Sequence, residues 1–445
     1  MASSPGTTLI CFAAGTRYED LPKPAVEVAR VAVLDWWGVT VAGAEEPVAR
    51  ILREALREPF HGPASVLGTG LTASPLTATL LNGTAAHALD YDDVTLALPG
   101  HLTAPILPGL LAAAEARGLG GRELLTAFVV GVEVASRAAR ALAPAHYRAG
   151  WHATTTLGRL GGAAAIGRLL GLDAARLDAA VGLAGAQLAG IHESFGSMAK
   201  PFQVGCAAAD ALRAALAAEA GMTAPRGLLD GEGFARRLSS TWAPERLVDG
   251  LGQRWTVTEL IFKRYPCCFA THASVAGLLA LQPGLDPDAV EAVELEICPT
   301  TLQVADQREP RTGLGGKFSM TYCAAAALLR GHVREEDFAD VAVGDPAVRA
   351  LAARVALRPN PGFDETRARV VVRLAGGAAR ERAVDLLADR DPEATRRDIR
   401  EKFRRLVAPR LGEAEAERLA AAIERLEDLD RVAELGGAPW RRPPT

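Results

Sequence analysis

The sequence predicts a mainly α protein, in which a large all-α helical domain built from both chain ends carries a smaller inserted α+β lid domain. Three observations predict it. Apolar residues recur at helical spacing through the first part of the chain, short alternating apolar runs appear only after Arg254, and charged helical patterning returns from Pro392. The helical domain is placed at residues 1–260, with 391–445 returning to it, and the lid domain at 261–390.

Taken in order, residues 24–42 read as an amphipathic helix, with Val26, Ala29, Val33, Trp36 and Trp37 on one face. Residues 122–142 repeat the pattern through Leu124, Leu125, Phe128, Val129, Val132 and Ala135. Residues 154–172 and 177–190 are alanine, glycine and leucine with little else, which suits central helices packed closely on most sides. Strand signals follow at 255–262, 290–297 and 367–374, with Gly376 and Gly377 turning the chain into another strand through Val384. Residues 318–330 and 346–355 read as helices between them. Residues 393–406 and 413–426 read as the returning helices, before a proline-rich tail.

Composition narrows the function classes. The 445 residues are 49% hydrophobic and carry a formal net charge of −4, so the chain is neither disordered nor a basic nucleic-acid or membrane-surface binder. No run is long and apolar enough to predict a membrane span, and the first ten residues lack the pattern of a secretory signal. Six scattered cysteines (Cys11, Cys206, Cys267, Cys268, Cys298 and Cys323) predict a reduced, cytoplasmic protein without a zinc or iron–sulfur set. There is no GxSxG elbow, phosphate-binding loop or HExxH helix.

The polar chemistry gathers at predicted element boundaries. Asp90-Tyr91-Asp92-Asp93 is a compact acidic cluster after His87, and His101 stands just before a helix that Thr103 and Pro105 are suited to start. His152 precedes three threonines at another helix start, and Lys200 lies beside Pro201 at a third. Helix amino termini favour anions, so the set suits a carboxylate ligand, although ordinary caps would look the same. Lys263 and Arg264 sit at the handover to the inserted domain, with His272 close behind. Tyr322 falls one turn into a helix capped by Ser319.

These segments come in a familiar order. Asn82-Gly83, His87 to Asp93, His101, Gly150 to Thr154, Lys200-Pro201-Phe202, Lys263 to Pro266, Thr271-His272 and Phe318-Ser319-Met320 together resemble the MmgE/PrpD family, over residues 10 to 430. The family includes 2-methylcitrate dehydratase, cis-aconitate decarboxylase and iminodisuccinate epimerase. The resemblance implies a helical domain with an α+β lid, a homodimer, and proton movement beside a carboxylate without metal or other cofactor. It puts Asp90, His101, His152, Lys200, Lys263 and Tyr322 at the pocket, with His101 and Lys200 as the proton-transfer pair. It makes Lys263 and Arg264 candidates for clamping carboxylates, and Tyr147 with Lys263 an epimerase-like acid and base. Gln203 and His272 complete the expected substrate-binding set.

Three residues depart from the decarboxylase pattern: Val94 stands for a threonine, and Gln203 and Cys268 each for a histidine. The step from Asp90 to His101 is also one residue longer. The expectation is therefore a hydro-lyase on a hydroxylated polycarboxylate, with an iminodisuccinate-type epimerase second and a non-catalytic binding protein third. The expected partner is a small carboxylate, with no nucleic acid and no membrane.

Overall fold

The computed structural model describes residues 3–56, 60–95, 97–388 and 390–436. The proline-rich tail lies outside them. Helices α1 (Pro5–Gly15), α2 (Lys23–Gly43) and α3 (Pro47–Leu56) open the chain, followed by a hairpin of β1 (Ala64–Val66) and β2 (Leu71–Ala73) that the sequence did not announce. Then come α4 (Pro75–Ala88), α5 (Thr103–Arg117), α6 (Gly121–Leu142), the one-turn α7 (Ala145–Arg148), α8 (Ala153–Leu169), α9 (Ala174–Gly185), α10 (Ala199–Glu219) and α11 (Glu232–Leu238). As its small residues predict, α8 is central: it packs on α5, α6, α9 and α10, and Ala163, Ala164, Ala165 and Ile166 are wholly buried.

A second core begins near Cys267. It is built from α12 (His272–Leu281), β3 (Val290–Ile297), the single turns α13 (Thr301–Val304) and α14 (Gly313–Gly316), and α15 (Met320–Arg330). The short α16 (Asp340–Val343), then α17 (Pro346–Ala352), β4 (Val355–Pro359), β5 (Arg367–Leu374) and β6 (Ala379–Asp385) complete it. The sheet order is β4-β3-β5-β6, with β3 and β4 parallel and the other pairs antiparallel. Alternation sets its faces, because Ala368, Val370 and Val372 point inward while Arg367, Arg369 and Arg373 point out.

The chain then returns to the helical core through α18 (Pro392–Leu411) and α19 (Glu413–Ile423). α18 lies on α2, where Phe403 meets Gly38 and the Lys402 ammonium sits 2.6 Å from an Asp35 carboxylate oxygen. Two expectations need correction. Residues 255–262 are not a strand, because Glu133 of α6 accepts hydrogen bonds from Thr256 N and Oγ1 and pins a 3-10 turn at Thr256–Glu259. Val355 leaves the helix and opens β4, where parallel pairing with Val293 gives its side chain a buried place.

One close crossing sets up the site. Where α4 meets α10, a Cβ on Gly83 would lie 2.9 Å from the Gly205 Cα, so only glycine allows the two backbones this near. That contact holds the end of α4, with His87, against the start of α10, with Lys200.

Candidate active site

Asp90 is the hub. It occupies the turn after α4 with φ of 51°, the single non-glycine residue at positive φ among those described, a strained conformation that surrounding contacts must hold. They do so with two ammoniums. Lys263 Nζ donates to Asp90 Oδ2 at 2.8 Å and to its backbone carbonyl at 2.9 Å, and Lys200 Nζ donates to Asp90 Oδ1. Lys200 also donates to His87 Nε2 at 2.8 Å. All three residues are buried. Two hydrogen-bonded strand-like contacts between Val94 and Ile261, each 2.8 Å, tie the acidic turn to the segment carrying Lys263.

Burial would raise the Asp90 carboxyl, but Lys200 and Lys263 outweigh it and hold it well below the ordinary value. Burial likewise opposes the charge on Lys263, yet Asp90 and Asp92 raise its pKa. An ammonium has three N–H donors, and each lysine uses two on these partners. Each therefore keeps one N–H for an incoming anion.

Asp92 supports two imidazoles. His87 Nδ1 lies 2.9 Å from Asp92 Oδ2, and His101 Nδ1 lies 3.1 Å from the same oxygen, an ion-pair distance without hydrogen-bond alignment. Burial, against the pull of Asp92, pushes His87 down to about 4 and lowers His101. His101 is thus neutral near pH 7, and with Nδ1 turned to Asp92 its Nε2 lone pair is left for the cavity it lines. His152, the residue before α8, is lowered well below its ordinary value, chiefly by burial. The Gln203 amide, oriented by the Ile191 N–H and by Ser194, donates to His152 Nδ1 at 2.5 Å. That places the His152 proton on Nε2, making it a neutral donor.

Asp90, His101, His152, Lys200 and Lys263 line a cavity of about 70 Å³ with Tyr147, Phe195, Cys268, Phe318 and Glu365. Burial pushes the Cys268 thiol up to about 12 and raises the Tyr147 phenol well above its ordinary value, so both stay protonated. Because Lys263 also keeps its proton, the Tyr147–Lys263 pair contains an acid on each side and no resting base.

The structure brings Asp90, His101, Tyr147, His152, Lys200 and Lys263 to one cavity, with Gln203 behind His152. Three expected residues lie elsewhere. Arg264 is exposed, because its neighbour Lys263 turns inward and the chain alternates. Tyr322 donates instead to the Asp337 carbonyl in the second core, and His272 packs on Tyr265 and Phe269 with Nε2 3.3 Å from the Cys267 carbonyl. Sequence reasoning left out His87 and Asp92 as site residues, although His87 lies five residues from Asp92 and three from Asp90. Glu365, on the loop before β5, carries no motif at all.

The pattern of the MmgE/PrpD N-terminal domain matches residues 7–247, and that of the MmgE/PrpD C-terminal domain matches residues 265–428. The chain belongs to the MmgE/PrpD family. Among MmgE/PrpD relatives, the cis-aconitate decarboxylase-like protein oryM of Aspergillus oryzae is 29% identical over 450 residues, covering 94% of this chain and 93% of the relative. A cis-aconitate decarboxylase of Aspergillus terreus is 27% identical over 482 residues, covering 99% and 98%. The cis-aconitate decarboxylase of Homo sapiens is 28% identical over 380 residues, covering 81% and 78%. Among the described residues, no helix of this MmgE/PrpD chain is long and apolar enough to cross a membrane.

His87, Asp92 and His101 also place three ligand atoms within 4.8 Å of one another, a spacing that a divalent ion could span. In the metal-free arrangement the same atoms face each other as two imidazole–carboxylate contacts.

Asp93 plays a different part. Its Oδ1 accepts from the Thr103 hydroxyl at the start of α5, while Oδ2 is buried without a partner, and burial raises the carboxyl to about 8. A carboxyl raised on folding stabilises below its unfolded value of about 3.9, and that contribution is lost as pH climbs to the folded value. Asp93→Asn keeps the acceptor and cannot ionise. Its melting temperature should match the parent near pH 4, exceed it increasingly up to about pH 8 and then keep a constant lead, as thermal unfolding across that range would show.

Proposed function

We propose that this chain is a lyase of polycarboxylates that works through a carbanion beside a bound carboxylate, and specifically a hydro-lyase. The observation that carries this reading is a neutral His101, backed by the Asp92 carboxylate, facing the same cavity as two ammoniums that each keep a free N–H. His101 Nε2 takes the proton α to a carboxylate, and Asp92 steadies the imidazolium that forms. The electron pair moves toward the carboxylate, whose growing charge Lys200, Lys263 and the His152 N–H meet. It then forms the carbon–carbon double bond as the β carbon–oxygen bond breaks. The departing hydroxyl leaves as water with a proton from a cavity donor, for which Tyr147 is suited.

A second reading, a carboxy-lyase, is favoured by the cis-aconitate decarboxylase relatives, which match nearly the whole chain. It reverses the demand on the site, because loss of CO2 leaves a carbanion that needs a proton donor and no base. The departures Val94, Gln203 and Cys268 favour the first reading, since Val94 and Cys268 line the cavity and Gln203 sets the His152 tautomer.

The purified protein should be incubated in D2O with citrate, 2-methylcitrate and cis-aconitate, following deuterium at carbon, alkene formation and CO2. Alkene from a hydroxy acid with no CO2 is the expected result. CO2 from cis-aconitate would install the second reading, and label with inversion but no alkene would indicate an epimerase. Absence of exchange, elimination and CO2 with all three acids would overturn the polycarboxylate assignment.

A further inference from the structure

Beside the reacting cavity lies a second chamber of about 550 Å³, in the size range of sites for organic ligands and far larger than the 70 Å³ between the lysines. The two share Pro99, Tyr147 and Glu365 as a common wall. We propose that the substrate carries an apolar substituent, a chain of several carbons, which passes Tyr147 and Glu365 into this chamber while its carboxylates stay with Lys200 and Lys263. This rests on the polycarboxylate reading above and extends it.

The lining decides the chemistry. Leu98, Ala139, Ala143, Pro144, Leu157 and Pro299 make apolar walls. His146 also borders the chamber, yet both its ring nitrogens are taken, Nδ1 at 3.0 Å from the Leu238 carbonyl and Nε2 at 2.8 Å from the Thr156 hydroxyl. Among the described lining residues the cation is Arg148, which is exposed. Thr300 and the exposed Gln303 add polar groups to the lining, but a carboxylate held against the apolar walls would give up its hydration at a cost, whereas a methylene chain gains by leaving water.

The threshold sorts the two ends of such a molecule. Burial raises the Glu365 carboxyl, so at the junction it is a poor neighbour for a second negative charge and becomes a hydrogen-bond donor when protonated. The Tyr147 ring gives the passing chain an apolar surface. Carboxylates are therefore retained on the lysine side and the apolar group is directed outward.

The test is the rate of α-hydrogen exchange in D2O, read by mass spectrometry, for citrate and for citrates bearing a methyl, butyl or hexyl group on a methylene carbon. Exchange reports the proton abstraction of the hydro-lyase reading before the hydroxyl leaves. Each buried methylene can contribute up to about fourfold in kcat/KM, and the butyl compound should exceed citrate by at least about tenfold on that scale. Thr300→Trp, at a half-buried wall position, and Leu157→Phe, at a buried one, should each draw the butyl-to-citrate ratio toward one. Using both guards against one failing to fold. Exchange on citrate with a flat or falling dependence on chain length would overturn the inference and leave the polycarboxylate reading standing. No exchange on any member would remove the inference together with the hydro-lyase reading it rests on.

Discussion

His101→Asn is expected to lower kcat by about a hundredfold to ten-thousandfold, the span that a positioned general base contributes. Asparagine fills a similar space and can still hydrogen-bond, so folding should survive and the loss should fall on kcat rather than KM. The pH profile gives a second check. In the proposed mechanism His101 is a base only when neutral, and burial lowers its pKa, so kcat/KM of the parent should rise from the acid side through a value below the ordinary imidazole figure of about 6.5 and then hold. The variant should lose that limb. Full activity in His101→Asn on a substrate the parent turns over would remove the base from the mechanism.

Asp90→Asn should be more damaging to the molecule as a whole. Asparagine tolerates the positive φ better than most residues, so the change isolates the carboxylate's charge. Without it, Lys200 and Lys263 are two buried ammoniums facing a neutral amide, and removing one member of a buried ionic cluster costs about 3–5 kcal/mol. Because the folded-state pKa of Asp90 is depressed, the parent's advantage over the variant is complete above the unfolded carboxyl value, about 3.9, and fades as pH falls through the lower folded value. Denaturant unfolding at pH 7 and at pH 3 measures this. Activity should drop as well, since the two lysines would lose the carboxylate that positions both of them. Equal stability of parent and variant at pH 7 would mean that Asp90 does not organise the two lysines.

Much of this is legible in the sequence. The elements with strict periodicity, residues 290–297 and 367–374, appear as strands with those bounds because alternating burial leaves a period-two mark in the chain. His101, His152, Lys200 and Lys263 were legible because each stands at an element boundary in a recognisable segment. Arg264 and Tyr322 misled for a shared reason: residue type and neighbourhood suggest a role, but direction belongs to packing. One step along the chain turned Arg264 to water while Lys263 turned in, and the Asp337 carbonyl claimed the Tyr322 hydroxyl.

By itself, then, the sequence determined most of the helices, the strands at 290–297 and 367–374, the family, and several of the polar residues that line the small cavity, His101, His152, Lys200 and Lys263 among them. Tertiary structure alone decided that Asp90 holds two lysines at once, that Asp92 supports two histidines, that Gln203 sets the His152 tautomer, and that Glu365 stands between a small charged cavity and a larger apolar one. The physical reason is distance. Periodicity and capping act over a few residues and leave a local record, whereas the Asp90–Lys263 contact joins positions 173 apart in the chain. Such a contact, and the pKa shifts that burial produces around it, exist only once the close crossing at Gly83 and Gly205 and the Val94–Ile261 contact have closed the fold.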